Sequence, residues 1–486
     1  MNISIVGSSF SGLTVTLYLI SRGFKPDLYD SDEHTMETGA KESGESNLAI
    51  KNPLDISKFY ENRKYFRVPQ GIQFIYENGI NVRPTYAKGG FSNLWGASVQ
   101  AYDHSFRKNW GIDKKLWYEA ENFVKGFFPI LENYQIDNGD NFNKNGIFIR
   151  DFNNPWQDDS MFLNYSIELR ESTFAVSNVN LDGGNVIAGK SLLFEKFKTK
   201  TILDDIVKRK LVNYHSNHVL RKFSESSETV KLVFENDGKK VFKEADTLFL
   251  GTGVISTSKI LLDSGLFKEI RIKDTQLFYM PAFSLRTNRI TRRNNQRIVF
   301  PSFFMKIKKK GSTELFFQHY PMNELILQRF IMMVPKILGL FQPLFKFLLK
   351  RVGVTFGYLP TNRSGSLQVV SANNESTKIS VIKQKIRGFS IVLKFITIVK
   401  FLKIGLLPFT FLTKYTGVGD SYHLGSNTFV DNLGEVRHIT NEDGLIHNHS
   451  KVYSIDSSAL HHLEPGPITY EMMLNAVRIA IKATTK

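Results

Sequence analysis

Residues 1–30 read MNISIVGSSFSGLTVTLYLISRGFKPDLYD, and the fold is decided there. ISIV (3–6) is a short β-branched run, GSSFSG (7–12) turns the chain, and LTVTLYLIS (13–21) has helical spacing that stops at Gly23. PDLYD (26–30) then reads as a second strand, which makes the whole stretch the opening of a βαβ unit. Gly7, Ser9 and Gly12 hold the three positions of a G-x-G-x-x-G turn, with serine at the middle one. That position normally lets backbone approach a pyrophosphate, and serine is the mildest loss because it is small and can donate. Ser11 belongs to the same turn. The turn follows a strand and starts a helix, so a pyrophosphate can sit on the helix N-terminus. Asp30 ends the second strand 18 residues after Gly12, where an acid can accept from ribose hydroxyls. Without a nucleotide the same segment is an ordinary helix start in a doubly wound sheet. The strand–turn–helix context favours dinucleotide binding.

Four more segments carry chemistry. AKGGFSNLWGASVQAY (87–102) is a glycine loop whose backbone amides can lie against a flat ligand, with Gly90, Ser92, Asn93 and Gly96 along it and Trp95 as a wall; the competing reading is a loop passing under a domain interface. Around His218 and Val219 a strand can present backbone groups to an adenine, and Gly251 and Gly253 form a strand-end turn into a helix. KVYSIDSSALHHLEPGPIT (451–469) ends a strand at Asp456 and Ser457, passes His461 and His462, and opens a helix through Gly466, Pro467, Ile468 and Thr469. That N-terminus suits a developing negative charge. DSYHLGSNTF (420–429) holds His423 in a flexible turn, and a lone histidine of this kind is more often a hydrogen-bonded structural group than a base.

Taken in order, these segments resemble the glucose-methanol-choline (GMC) family of FAD-dependent oxidoreductases. VGSSFSG with Asp30 looks like its nucleotide turn and ribose acid, GGFSNLWG like its flavin-side loop, and FLGTGVISTSKILLDSG like its second FAD strand and helix. SYHLGSN and SIDSSALHHLEPGPIT…NAVRIA look like its C-terminal signature. The resemblance covers roughly the first 125 residues, 190 to 270, and the last 70. It implies an α/β, Rossmann-like FAD-binding domain built from residues 1–125, 190–272 and 415–486, with an α+β substrate-binding domain inserted as 126–189 and 273–414. It implies FAD as cofactor and oxidation of an alcohol to a carbonyl, with hydride passing to flavin N5 and His423 taking the hydroxyl proton. The family's second catalytic position, a His or Asn directly before Pro, is Gly466 here, which leaves His461, His462, Glu464 or a water as substitutes; His462 is carried as the second candidate. A sugar or lipid-linked glycosyl hydroxyl is the substrate that the C-terminal signature suggests. A flavin-dependent reductase or isomerase, and a binding module that keeps the fold without catalysis, remain open.

The chain has 486 residues, 42% of them hydrophobic, enough for two or three domains. With no cysteine, disulfides and thiolate metal sites are excluded, and no histidine pair has metal-ligand spacing. Those features, and a first strand that leaves no room for a leader, point to the cytoplasm. Of 63 Lys and Arg residues, 24 lie between Lys273 and Lys414, against only 4 of the 46 acidic residues. The net +17 is therefore one basic insert rather than a nucleic-acid stripe, and no nucleic-acid partner is expected. The insert holds two apolar, basic stretches, 325–351 and 389–412, each interrupted by proline or lysine and neither a clean membrane span. Lys394, Thr397, Lys400 and Lys403 recur at steps of three, and Lys346 and Lys350 are four apart. Such stripes fit either a solvated edge of a packed helix or contact with an anionic membrane surface, and the charge favours the membrane.

Overall fold

The computed structural model describes residues 1–31, 66, 68–131, 164–177, 195–285, 301–320, 351–382 and 390–485, apart from 78, 103–106, 108–109, 111–112, 129, 172, 302, 311 and 373–375. Ile3–Val6 is buried along its length because it lies in the middle of a five-stranded parallel sheet. The strand order is Val452–Ser454, Thr247–Leu250, Ile3–Val6, Asp27–Tyr29, Asn213–His215. Side-chain alternation sends Ile3, Ile5, Leu28 and Phe249 to one face, against α1 (Phe10–Ser21), α2 (Lys114–Lys125) and α3 (Thr199–Lys208). Val6, Tyr29, Leu248 and Leu250 face the other way, against α4 (Val254–Asp263) and a three-stranded antiparallel sheet formed by residues 219–245. Both faces are covered, as a parallel sheet requires.

Local departures from the sequence reading have local causes. The run 211–223 is two strands, since Asn217 at φ +55° breaks it: Asn213–His215 joins the parallel sheet and Val219–Glu225 the antiparallel one. The amphipathic spacing of residues 110–128 is realised as α2, which starts at Lys114 because the Asp113 side chain caps it by accepting from the Lys115 N–H at 2.9 Å. The helical spacing of residues 191–210 is realised only in its second half, as α3, which the short strand Glu195–Lys196 precedes; residues 191–194 lie outside the described ones.

Two larger sheets, and a small four-stranded one formed by 98–99, 173–177, 130–131 and 195–196, complete the described architecture. A six-stranded mixed sheet runs 436–438, 424–430, 269–274, 366–371, 376–382, 73–76. The expected boundary at 272 falls inside its strand Glu269–Asp274. A seven-stranded antiparallel sheet is built around residues 277–284, 352–358, 312–320, 303–309 and 165–171, with 406–408 and 414–415 both pairing on 277–284. Against one of its faces packs α5 (Ile391–Lys403), whose Leu393, Ile396 and Phe401 share a core with Phe303, Met305 and Phe317. The expected basic stripe on this helix is split: Lys394 and Lys403 are exposed, whereas Thr397 and Lys400 are buried. In the KIKKKG segment Lys306 and Lys308 are likewise buried, on Glu464 and Glu168. Lys346 and Lys350, and most of 126–189 and 325–351, lie outside the described residues. Among the described residues no helix is long and apolar enough to cross a membrane. The C-terminal α6 (Thr469–Thr484) returns to the parallel sheet and packs between α1 and α2.

Candidate active site

The carboxyl ends of the parallel strands open into a cavity of about 520 Å³, the place where open α/β sheets bind ligands. Gly7 has φ +98°, and a Cβ there would stand 2.5 Å from the Gly251 carbonyl oxygen. Two strand-end turns thus abut through backbone alone. Gly90 at φ +53° makes a similar approach to Ser9, its would-be Cβ 2.8 Å from that side chain. Asp30 is buried beside these turns, accepting from the Ser8 hydroxyl, from the Ser31 N–H at 2.9 Å and from the Tyr214 hydroxyl at 3.3 Å. Burial pushes its carboxyl up to about 7. Ser8 Oγ also accepts the Gly89 N–H at 2.8 Å, which ties the first turn to the second glycine loop. Tyr29, below, is stacked between His215 and Phe234 at 4.5 and 4.4 Å.

Of the residues singled out in the sequence, Gly7, Ser9, Ser11, Asp30, Gly90, Trp95, Gly96, Val219, Gly251, Gly253, His423, Asp456, Ser457, Pro467, Ile468 and Thr469 all line this cavity. Gly12 stands behind it: its would-be Cβ falls 1.8 Å from the Gly7 carbonyl oxygen, so its task is close packing of α1 on the turn. Ser92 and Asn93 are set back as well. Ser92 is bonded to Gly89 and Thr199, while Asn93 donates to the Lys88 and Gly90 carbonyls, so both brace the loop from behind. His461 stacks on His438 at 4.4 Å and bonds the Thr440 and Asn441 carbonyls. Glu464 accepts from Lys306 at 3.1 Å and from Thr313 at 2.5 Å. Neither His461, His462 nor Glu464 lines the cavity.

His423 does. A turn with strained backbone delivers it: Tyr422 has φ +56°, and Asp274 holds the turn by accepting from the Gly419 N–H at 2.8 Å and the Ser421 hydroxyl at 2.7 Å. The imidazole lies on the Tyr358 ring, 4.8 Å between centroids and 29° between planes. Its Nδ1 has no partner among the described residues. Burial pushes the imidazole pKa down to about 4, so the ring is neutral, and able to take a proton, throughout the physiological range.

The seven-stranded sheet supplies the opposite wall with Leu277, Gln318, Tyr320, Phe356 and Tyr358. Gln318 Oε1 accepts from the Tyr320 and Tyr358 hydroxyls at 3.1 and 3.3 Å, which leaves Nε2 unpartnered among the described residues. Beside Gly466, whose φ is +116°, a Cβ would meet Gln100 Oε1 at 2.2 Å and Phe316 Cδ1 at 2.9 Å. No side chain fits at 466, and the buried Gln100 amide occupies the approach with neither of its polar atoms paired among the described residues. The sequence reading missed both glutamines. A Gln inside the apolar run ELFFQHY (314–320) was the available signal.

Pro467, Ile468 and Thr469 bring the α6 N-terminus to the cavity. Glu471 in its first turn would oppose the positive end of the helix dipole, but its carboxylate is held in a bidentate pair by Arg107, both bonds 2.8 Å, and accepts the Tyr102 N–H at 3.2 Å. The field at the cavity is thereby left to the backbone amides.

No family model and no curated protein matches the sequence. Among solved structures, pyridoxine 4-oxidase from Mesorbium loti superposes with a TM-score of 0.58 over 100% of this chain and 99% of that one, at 11% identity. In fold, the chain is similar to that oxidase. The similarity spans the parallel-sheet half and the inserted sheets together, so the whole architecture is shared, not only its opening strand–turn–helix unit.

Proposed function

We propose that the chain is an FAD-dependent oxidoreductase that oxidises an alcohol to a carbonyl. The observation that carries this reading is one cavity lined both by the glycine turns with Asp30 and by an unpartnered, neutral histidine. The residues fit the cofactor: backbone turns that exclude any Cβ suit a pyrophosphate, Asp30 suits a ribose, and the α6 N-terminus suits a ring edge that gains negative charge. When bound, FAD supplies the hydride acceptor. His423 accepts the hydroxyl proton, on a ring kept neutral by burial and oriented by stacking on Tyr358. Gln318 Nε2 donates to a substrate oxygen, and Tyr320, Phe356 and Tyr358 hold the substrate against aromatic faces. Aromatic faces with one amide suit a ring-bearing alcohol, and a glycosyl hydroxyl is the first to try. Pyridoxine 4-oxidase, by its name, oxidises an alcohol on a ring, which agrees with this choice. Without a side chain at Gly466 the proton passes through His423 alone. The test is direct: the purified protein is expected to be yellow, with a flavin spectrum that bleaches anaerobically on adding the alcohol substrate. A colourless protein that takes up no FAD on reconstitution would sink the proposal.

A further inference from the structure

We propose that α5 and the turn that follows it form a reversible docking face for an anionic lipid surface. The helix is apolar on two sides. Its inner side, with Leu393, Ile396 and Phe401, is buried on the seven-stranded sheet. Its outer side is apolar yet faces outward, Ile391 being 86% exposed and Leu402 42%. Just beyond, Phe411 is 79% and Leu412 53% exposed. The Leu285 N–H donates to the Gly405 carbonyl at 2.9 Å and so places Leu285, 49% exposed, at the same end of the helix. Large apolar side chains gathered this way on a surface mark a contact rather than chance exposure.

Charge identifies what covers it. Residues 376–419 contain eight Lys or Arg and no Asp or Glu. Lys394, Lys403 and Lys414 are exposed among the apolar side chains. A second copy would bring like charges together, whereas an anionic lipid surface takes both the apolar side chains and the cations. A helix of 13 residues is about 20 Å long, too short to span the roughly 30 Å hydrocarbon core, and lysines near both ends suit a helix lying in the interface with its ammonium groups at headgroup level. The position leaves the cavity free. On strand Ser312–Tyr320, Leu315 and Phe317 face α5 while Gln318 and Tyr320 line the cavity, so the sheet stands between the two. The inference does not rest on the redox reading and holds or fails separately from it.

The test is co-sedimentation of the full-length protein, as purified, with phosphatidylcholine vesicles that either contain or lack 30% phosphatidylglycerol. We expect binding to the anionic vesicles at least about tenfold stronger than to the neutral ones, falling as salt rises from about 0.05 to 0.5 M. A Lys394→Glu/Lys403→Glu variant and, separately, a Phe411→Ser/Leu412→Ser variant are each expected to lose about tenfold or more. The second changes only exposed residues of the turn, and thermal melting of both variants shows that the fold is kept. Equal binding to both vesicle types, no binding to either, or undiminished binding by the folded variants overturns the proposal. So does a dimer in light scattering that the turn variant converts to monomer, which would assign the face to self-association.

Discussion

Asp30 meets the cavity with its carboxylate already engaged by Ser8, Ser31 and Tyr214, whereas on the opposite wall His423 Nδ1 and Gln318 Nε2 have no partners among the described residues. One wall is finished by the protein itself and the other is not. Buried polar groups cost stability when unpaired, so a wall that keeps them in that state is one that a ligand completes. On the proposed function, the contrast separates a region that would hold the cofactor by shape from a region that would read the substrate.

The largest effect expected on the finished wall is that of Gly12→Leu. Its side chain would enter the Gly7 carbonyl, so the turn cannot keep its shape, and flavin content after purification or reconstitution is expected to fall to background. Full flavin occupancy in that variant would remove the turn from the cofactor site. On the unfinished wall, His423→Ala is expected to retain FAD yet slow anaerobic flavin reduction, measured per bound flavin by stopped flow, by about 10²- to 10⁴-fold. Because burial holds the imidazole down to about 4, the wild-type rate should stay level as pH drops through 6.5 and fail only near 4. An unchanged rate per flavin in the variant would make His423 part of the turn and nothing more.

Next in size is Glu471→Ala, which strips the bidentate partner from the buried Arg107 guanidinium, leaving Glu121 at 3.7 Å, and is expected to cost up to about 3 kcal/mol in denaturant unfolding. It tests whether the loop before α2 and the start of α6 act as one support beneath both walls. Gln318→Leu is expected to raise KM and lower kcat/KM by about ten- to a hundredfold, the cost of one lost hydrogen bond in a desolvated site, with flavin affinity unchanged. A loss of flavin instead would erase the division between the walls. The smallest effect is in pH. A ribose hydroxyl donates to the ionised form of Asp30, so with the carboxyl held up to about 7, FAD affinity should be full above that value and weaken by about three- to tenfold on going down to pH 6. Asp30→Asn should flatten that profile.

The finished wall was legible in the sequence, whereas of the other wall only His423 was, for a physical reason. Strand, turn and helix at 3–21 are contiguous, so periodicity and two glycines report them directly. Trp95, Asp456 and Pro467 sit in short local motifs and reach the cavity together. By contrast, the seven-stranded sheet pairs Tyr165–Glu171 with Phe303–Lys309, more than a hundred residues apart, and no local pattern states that register. Gln100 and Gln318 are ordinary residues until the fold buries them unpaired. The lysine stripe is split because steps of three drift around the helix, so Lys394 and Lys403 stay outside while Lys400 goes in with Leu393, Ile396 and Phe401.

Ser8 has one hydroxyl, and it serves two loops at once. Its proton goes to Asp30 and its lone pair receives the Gly89 amide. A ligand that donates to Asp30 competes for the same carboxylate and alters the Ser8 oxygen as an acceptor, so news of an occupied ribose site travels one bond further, to a backbone amide of the neighbouring glycine loop. In an ¹⁵N-labelled sample the Gly89 resonance is therefore expected to move and its deuterium exchange to slow when cofactor is titrated in. Ser8→Ala would leave that amide insensitive to the ribose while still reporting on any ring that settles directly over the loop, which makes a single peak a readout of which half of the ligand has arrived.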